Sequence, residues 1–359
     1  MDFAALNRRI PLPEEAARAA CRAHWDAVAK PLGSLGLLEA DIQKIAALTG
    51  SPDVRLSRRA VLVLCADNGV VREGVTQTDS GVTRQVARSL AAGTSSVCRM
   101  AAQAGCAVVP ADLGMLEPAG VPGVLDRRVR AGTGNIAQGP AMTRAEAQRA
   151  IQAGIGLARM QKAAGVQILA TGEMGIGNTT TSAAVAGVLL GLDAGEAVGR
   201  GAGLSDAGLS RKRAAVRRAV AVNRPDPADP LDVLAKVGGL DIAGLCGVFL
   251  GAALERVPAL IDGCISAAAA LVAARLCPRA RAAMLASHLP AEPTGAPLLH
   301  ALGLQPLLCA GLRLGEGTGA VAALPLLDMA LAVYHGAGSF HDVGVAPYVP
   351  QEGSPCTRL

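Results

Sequence analysis

Apolar residues along this 359-residue chain fall into two repeating forms. Short continuous runs at 60–66 (AVLVLCA), 106–111 (CAVVPA), 166–171 (VQILAT), 258–262 (PALID) and 281–287 (RAAMLAS) read as strands. Their lack of apolar–polar alternation fits parallel strands covered on both faces. Longer helical stretches lie between them, at 81–102, 143–164, 179–190, 241–254, 264–276 and 321–335. Thr143 followed by Glu146 has capping-box spacing at the start of one of these. Strands alternating with helices predict βαβ units and a doubly wound α/β sheet. The first residues differ: 14–30 and 35–48 look helical, with a KPLGSLG break between. Residues 1–55 are therefore expected to form a small helical domain, completed by a C-terminal helix at about 321–345, beside an α/β domain spanning 56–320. NRPDPADP (223–230) reads as a surface turn.

Composition narrows the function. Hydrophobic residues make up 51% of the chain and aromatics 2%. The core must be built from Ala, Val, Leu and Ile, and nucleic-acid binding by base stacking lacks its platforms. The net charge is 34 − 29 = +5. Basic clusters at 55–59, 127–130 and 211–218 suit either solvated helix faces or an anionic small molecule. Nine cysteines, an odd number with no CxxC pair, mostly sit in apolar runs and read as buried thiols in a reducing compartment. The N-terminus has no secretory pattern, and no apolar run reaches about 18 residues without a charge or breaker. A soluble cytoplasmic protein is expected.

Candidate chemistry gathers where strands end, since ligands of open α/β sheets sit beyond the carboxyl ends of the strands. The ends carry Asp67-Asn68-Gly69, Asp112-Leu113-Gly114, GEMGIGNTTT (172–181), Asp262-Gly263 and Ser287-His288-Leu289. GEMGIGNTTT opens a helix, where unpaired N–H groups and the dipole favour an anion. The same residues could serve as an ordinary helix cap. The stretch is neither a P-loop nor the dinucleotide fingerprint. Gly199–Gly203 and Gly132–Ile136 are further glycine-rich pieces that would help form a glycine-lined pocket. In RLGEGTGA (313–320) a single carboxylate, Glu316, stands between glycines before a helix. It could face a ligand directly, or simply complement the helix dipole. The five histidines show no metal-ligand spacing, and no G-x-S-x-G elbow is present.

Across nearly the whole chain, these segments resemble the nicotinate-nucleotide–dimethylbenzimidazole phosphoribosyltransferases, which make α-ribazole phosphate for the lower ligand of cobalamin. The segments are KPLGSLGLLE (30–39), VLVLCADNGV (61–70), GTGNIAQGPAM (132–142), GEMGIGNTTT, DVLAKVGGLDIAGLCGVFLGAA (232–253), IDGCIS (261–266), SHL (287–289) and RLGEGTGA. The resemblance implies a homodimer with a Rossmann-like domain and a small helical domain. It implies no cofactor and no metal, and small-molecule substrates: nicotinate mononucleotide and a benzimidazole-type base. Glu316 matches the family's glutamate that takes the proton released by the attacking base. Glu173 matches a second site glutamate, and Lys212 an active-site lysine. Gly175, Gly177, Asn178, Thr179 and Thr180 are the expected phosphate and ribose contacts, followed by Gly201, Gly203, Gly263 and Ser287, and Leu314 is a further expected substrate contact.

The stretch GVTQTDSGVTRQV (74–86) departs from the family, which places a serine and a glutamine there. Thr78 stands for the serine, and Val86, with Gln85 beside it, for the glutamine. The departure bears on which base the pocket takes. Two other readings remain: an NAD-dependent oxidoreductase, against which the missing fingerprint counts, and a non-catalytic nucleotide sensor.

Overall fold

The computed structural model describes residues 1–120 and 122–349. Three helices, α1 (Phe3–Arg9), α2 (Glu15–Ala27) and α3 (Leu37–Thr49), precede β1 (Arg59–Ala66). Next come α4 (Gly81–Ala91), α5 (Ser96–Gln103), β2 (Cys106–Gly114), β3 (Leu125–Asp126), α6 (Arg144–Ala163) and β4 (Ile168–Met174). Five helices separate β4 from β5 (Ala259–Ile261): α7 (Asn178–Leu190), α8 (Ala194–Ala197), α9 (Asp206–Asn223), α10 (Pro230–Val237) and α11 (Leu240–Leu254). The chain continues through α12 (Cys264–Leu276), β6 (Met284–Ala286), α13 (Gly295–Leu302) and α14 (Thr318–Gly336).

The six strands pair in the order β3-β2-β1-β4-β5-β6, all parallel. This is the doubly wound order, with a reversal between β1 and β4. Successive strand side chains point to opposite faces, and the two cores divide on that basis. Ala60, Leu62, Leu64 and Ala66 join one core with α6, α7, α11 and α12. Val61, Val63 and Cys65 join the other with α2, α3, α4, α5 and α14. Both faces are covered, which is why β1 reads as an unbroken apolar run.

Local chemistry sets the boundaries. The Thr143–Glu146 capping box forms and starts α6. The stretch expected as one helix over 81–102 is two, because Gly93 takes φ +71 and ends the first. Ser95 then caps the second. Helices α1, α8, α9, α10 and α13 and the two-residue β3 were not anticipated. By length and composition α14 could cross a membrane. Its inner face, including Val321, Leu324, Leu327 and Tyr334, lies instead in the second core, and Asp328 pairs with Arg59.

Helix α11 is apolar on all sides and buried from Leu240 to Ala253, as expected of a core helix. It crosses α6 backbone to backbone. A Cβ on Gly154 would lie 1.9 Å from the Gly244 carbonyl oxygen, and one on Gly247 2.0 Å from that of Ile151. Gly247→Ala should therefore force the two helices apart, at about 1–3 kcal/mol for overpacking against backbone. With the Cβ only 2.0 Å from backbone the cost belongs at the upper end of that range, above the roughly 1 kcal/mol that alanine gains in helix propensity. The expected result is a lower urea midpoint at unchanged m-value, and a midpoint at or above that of the parent would show that the seam is not this close.

Candidate active site

The carboxyl ends of β4, β5 and β6 open into a cleft of roughly 370 Å³, within the size range of small-molecule sites. Its walls come from segments within 75–78, 173–179, 200–204, 262–265, 288–292 and 312–318.

Glu316 reaches this cleft on an unusual turn. Gly315, Glu316 and Gly317 have φ of +90, +60 and +92 in succession. Glycine takes these values freely, but for glutamate the left-handed region costs on the order of 1–3 kcal/mol. The surroundings hold it there. Asp262, buried at the end of β5, accepts the amide N–H groups of Gly317 (3.2 Å), Gly319 (2.8 Å) and Ala320 (3.1 Å). Its carboxylate thus caps α14 from a different part of the chain. The turn also presses on β4: a Cβ on Gly172 would lie 2.5 Å from the Glu316 carbonyl oxygen. A Cβ on Gly315 would lie 2.7 Å from Glu173 Oε1, and one on Gly319 2.0 Å from His288 Nδ1. The glycines flanking Glu316 therefore serve backbone conformation and close approach. The Glu316 carboxylate lies 3.5 Å from the amide nitrogen of Val97, in the first turn of α5.

The floor is acidic. Glu173 is almost fully buried. Burial, and then the charge of Asp241, push its carboxyl up to about 8, against the pull of the Asn178 amide. Asn178 donates from Nδ2 to both Glu173 Oε2 and Asp241 Oδ2. Burial pushes Asp241 up to about 6. Burial also raises Asp262, while neighbouring His288 and the three amides it accepts pull it back down. Both carboxyls therefore hold their protons to higher pH than free acids do.

A cationic corner adjoins this floor. Lys212, on α9, is fully buried, and its ammonium donates to Thr179 Oγ1 at 2.8 Å. Burial lowers its pKa, and Glu292 opposes that shift. Gly201, at φ +54, brings its backbone so close that a Cβ would sit 2.8 Å from Thr179 Oγ1 and 3.2 Å from Lys212 Nζ. The Gly201 amide donates to Glu292 Oε1 at 2.9 Å.

Of the residues singled out from sequence, the cleft is lined by Glu316, Glu173, Gly175, Gly177, Asn178, Thr179, Gly201, Gly263, Thr78 and Leu314. Lys212 stands directly behind Thr179. Four others are not brought into the lining. Thr180 is buried with its hydroxyl unpartnered. Ser287 turns inward and donates to the Ile261 carbonyl. Gly203 uses its carbonyl to accept from Gln77. Gln85 is exposed on the outer face of α4, while Val86 packs into the second core. The amide that does reach the cleft wall from this stretch is Gln77. Gly132–Ile136 also lies elsewhere: Gly132 and Thr133 bond to Gly114 and Asp67 as a structural brace. Sequence reading did not single out Asp241, Gln77 or Glu292, because their partners are distant in the chain.

Comparison with known proteins places this arrangement. A family profile described as phosphoribosyltransferase matches residues 10–345. A nicotinate-nucleotide–dimethylbenzimidazole phosphoribosyltransferase from Acetivibrio thermocellus is 48% identical over 326 residues, covering 91% of this chain and 93% of that protein. The protein of the same name from Desulforudis audaxviator is 49% identical over 342 residues, covering 95% and 97%. The crystal structure of CobT from Thermus thermophilus superposes with a TM-score of 0.88 at 44% identity, over 93% of this chain and all of that one (100%).

The acidic floor makes stability depend on pH with a definite sign. Between the ordinary glutamate value and about 8, folded Glu173 keeps a proton that the unfolded chain has released. Its contribution to stability therefore falls as pH rises through that window. Glu173→Gln removes this dependence. Its melting temperature relative to the parent should climb from pH 5 to pH 8, measured by thermal unfolding across that range. A difference constant with pH would contradict the assignment.

Proposed function

This chain belongs to the nicotinate-nucleotide–dimethylbenzimidazole phosphoribosyltransferase family, and on that premise we propose how its cleft performs the transfer. The 5-phosphoribosyl group of nicotinate mononucleotide moves to 5,6-dimethylbenzimidazole or a related base, giving α-ribazole 5′-phosphate and nicotinate. The observation that carries this reading is that Glu316, Thr179 and Gly201 line one cleft, with the Lys212 ammonium directly behind Thr179.

In this reading the phosphate lies against Thr179 and the Gly201 backbone, with the Lys212 ammonium behind Thr179 supplying positive charge, beside the N-terminal turns of α7 and α12. Helix N-termini present free N–H groups to anions. The neutral ring nitrogen of the base attacks C1′ from the face opposite nicotinate. The C1′–N bond to nicotinate breaks as the new one forms, and its electron pair returns to the pyridinium nitrogen. That nitrogen leaves uncharged, so the leaving group needs no acid. The anomeric centre inverts from β to α. The other ring N–H of the base becomes acidic and passes its proton to Glu316. Glu173 lies at the floor near the ribosyl centre, held by the Asn178 amide that it shares with Asp241. Thr78 and Leu314 border the place where the base would lodge. The comparisons lend no support to the oxidoreductase and sensor alternatives.

Glu316→Gln should cut α-ribotide formation by roughly 10²–10⁴-fold, the usual range for a lost general base, while nicotinate mononucleotide still binds. Incubating the enzyme with that nucleotide and a panel of benzimidazoles, phenols and purines checks this, with products identified by mass and anomeric configuration. Normal turnover by the variant would remove Glu316 from the role.

The same reading takes the protein to work as a homodimer in the cytoplasm. Light scattering on the purified protein should give about twice the 36.0 kDa chain mass, and a value near one chain mass would rule the dimer out.

A further inference from the structure

We propose that Glu292 is a positioning residue for the phosphate end of the nucleotide: it fixes the Gly199–Gly203 loop through the Gly201 amide and sets its negative charge facing Lys212. The proposal rests on the reading that Lys212 and Thr179 receive the phosphate.

The geometry is specific. Glu292 comes from the loop between β6 and α13, 91 residues from Gly201, and its Oε1 accepts the Gly201 N–H at 2.9 Å. Its Oε2 is seated against the same loop, since a Cβ on Gly199 would lie 2.0 Å from it. The loop is latched from its other side as well, where Gln77 Nε2 donates to the carbonyls of Ala202 (3.0 Å) and Gly203 (2.7 Å). Held this way, Gly201 stands against both Thr179 Oγ1 and Lys212 Nζ. A carboxylate beside a phosphate site would ordinarily repel its ligand. Here its lone pairs are turned onto the loop.

The charge also acts on Lys212. A buried ammonium tends to lose its proton, and Glu292 is the first cause opposing that loss. The other groups facing Lys212 do little. Thr179 is neutral, and burial pushes the Cys264 thiol, at the start of α12, up to about 12. Arg211 and Arg213, its neighbours on α9, bond to the carbonyls of Gly74 and Gly195. Without Glu292, Lys212 should give up its charge at lower pH, so phosphate binding should begin to weaken sooner as pH rises.

The test compares the parent enzyme with Glu292→Gln, which keeps an acceptor for Gly201 but removes the charge, and with Lys212→Met. Calorimetry reads the Kd of nicotinate mononucleotide and of nicotinate riboside, its phosphate-free counterpart, at pH 6.5 and pH 9. Glu292→Gln should weaken the nucleotide several-fold at pH 9, where Lys212 loses its charge sooner, and by less at pH 6.5. It should leave the riboside within about twofold. Parent-like nucleotide affinity at both pH values, or equal weakening of nucleotide and riboside, would overturn the proposal. Should Lys212→Met bind the nucleotide like the parent, the phosphate assignment itself fails. If Lys212→Met is weakened and Glu292→Gln is not, only the role of Glu292 falls. Should Glu292→Gln fold poorly, Glu292→Asp decides. It keeps the charge but shortens the reach to Gly201, and it should weaken nucleotide binding by a similar factor at both pH values. Parent-like affinity in that variant also overturns the proposal.

Discussion

The buried carboxylate of Asp262 carries the active site. It accepts three amides at the start of α14, and those bonds fix the turn that bears Glu316. A left-handed glutamate is locally unfavourable and persists only where its surroundings over-determine it. Asp262 on one side and the Gly172 backbone on the other supply that constraint. The strain sits at the residue proposed to meet the substrate, and the compensation comes from groups at the ends of β5 and β4.

The electrostatics follow from the same crowding. Several acids stand at the strand ends because each braces backbone: Asp67 accepts from Leu116, Asp112 from Met115 and Asp262 from α14. Closely spaced carboxylates cannot all ionise cheaply in a dry floor. Glu173, the most crowded of those lining the cleft, keeps its proton to a higher pH than a free glutamate would. Lys212 meets the opposite problem in its own corner, where burial works against its charge. The cleft is thus divided into an acidic floor and a cationic corner by ordinary desolvation and proximity, with Asn178 and Thr179, adjacent on α7, facing one each.

Much of the fold was legible in the sequence. The apolar runs marked five of the six strands because a sheet covered on both faces demands them, and a two-residue strand leaves no such trace. Helix α9 was legible only in part: the basic cluster at 211–218 suited a solvated helix face, but no apolar pattern marked the helix's extent. The reading of 81–102 as one helix missed that Gly93 must turn left-handed. At the site, Glu316, Glu173 and Thr179 stood out because their residue types are conspicuous beside glycine and strand ends. The purpose of the glycines did not stand out. Those of GEMGIGNTTT looked like provision for a phosphate and those of RLGEGTGA like open space around Glu316, yet Gly172, Gly315 and Gly319 make room for protein atoms of another motif. Gln85 and Ser287 show the limit of one-dimensional reading, since a neighbouring position on a helix or at a strand end faces a different way. Asp241 and Glu292 gain their meaning only from partners 63 and 91 residues off.

The mutual fit of GEMGIGNTTT and RLGEGTGA has an implication for engineering. Each segment is shaped by missing side chains in the other, so the two behave as one part supplied in two pieces. Moving either alone into a foreign scaffold would leave its partner surface filled with methyl groups and its turn unsupported. The smallest portable unit is larger than the pair: it includes the aspartate after β5 that holds the second turn and the histidine against which Gly319 packs.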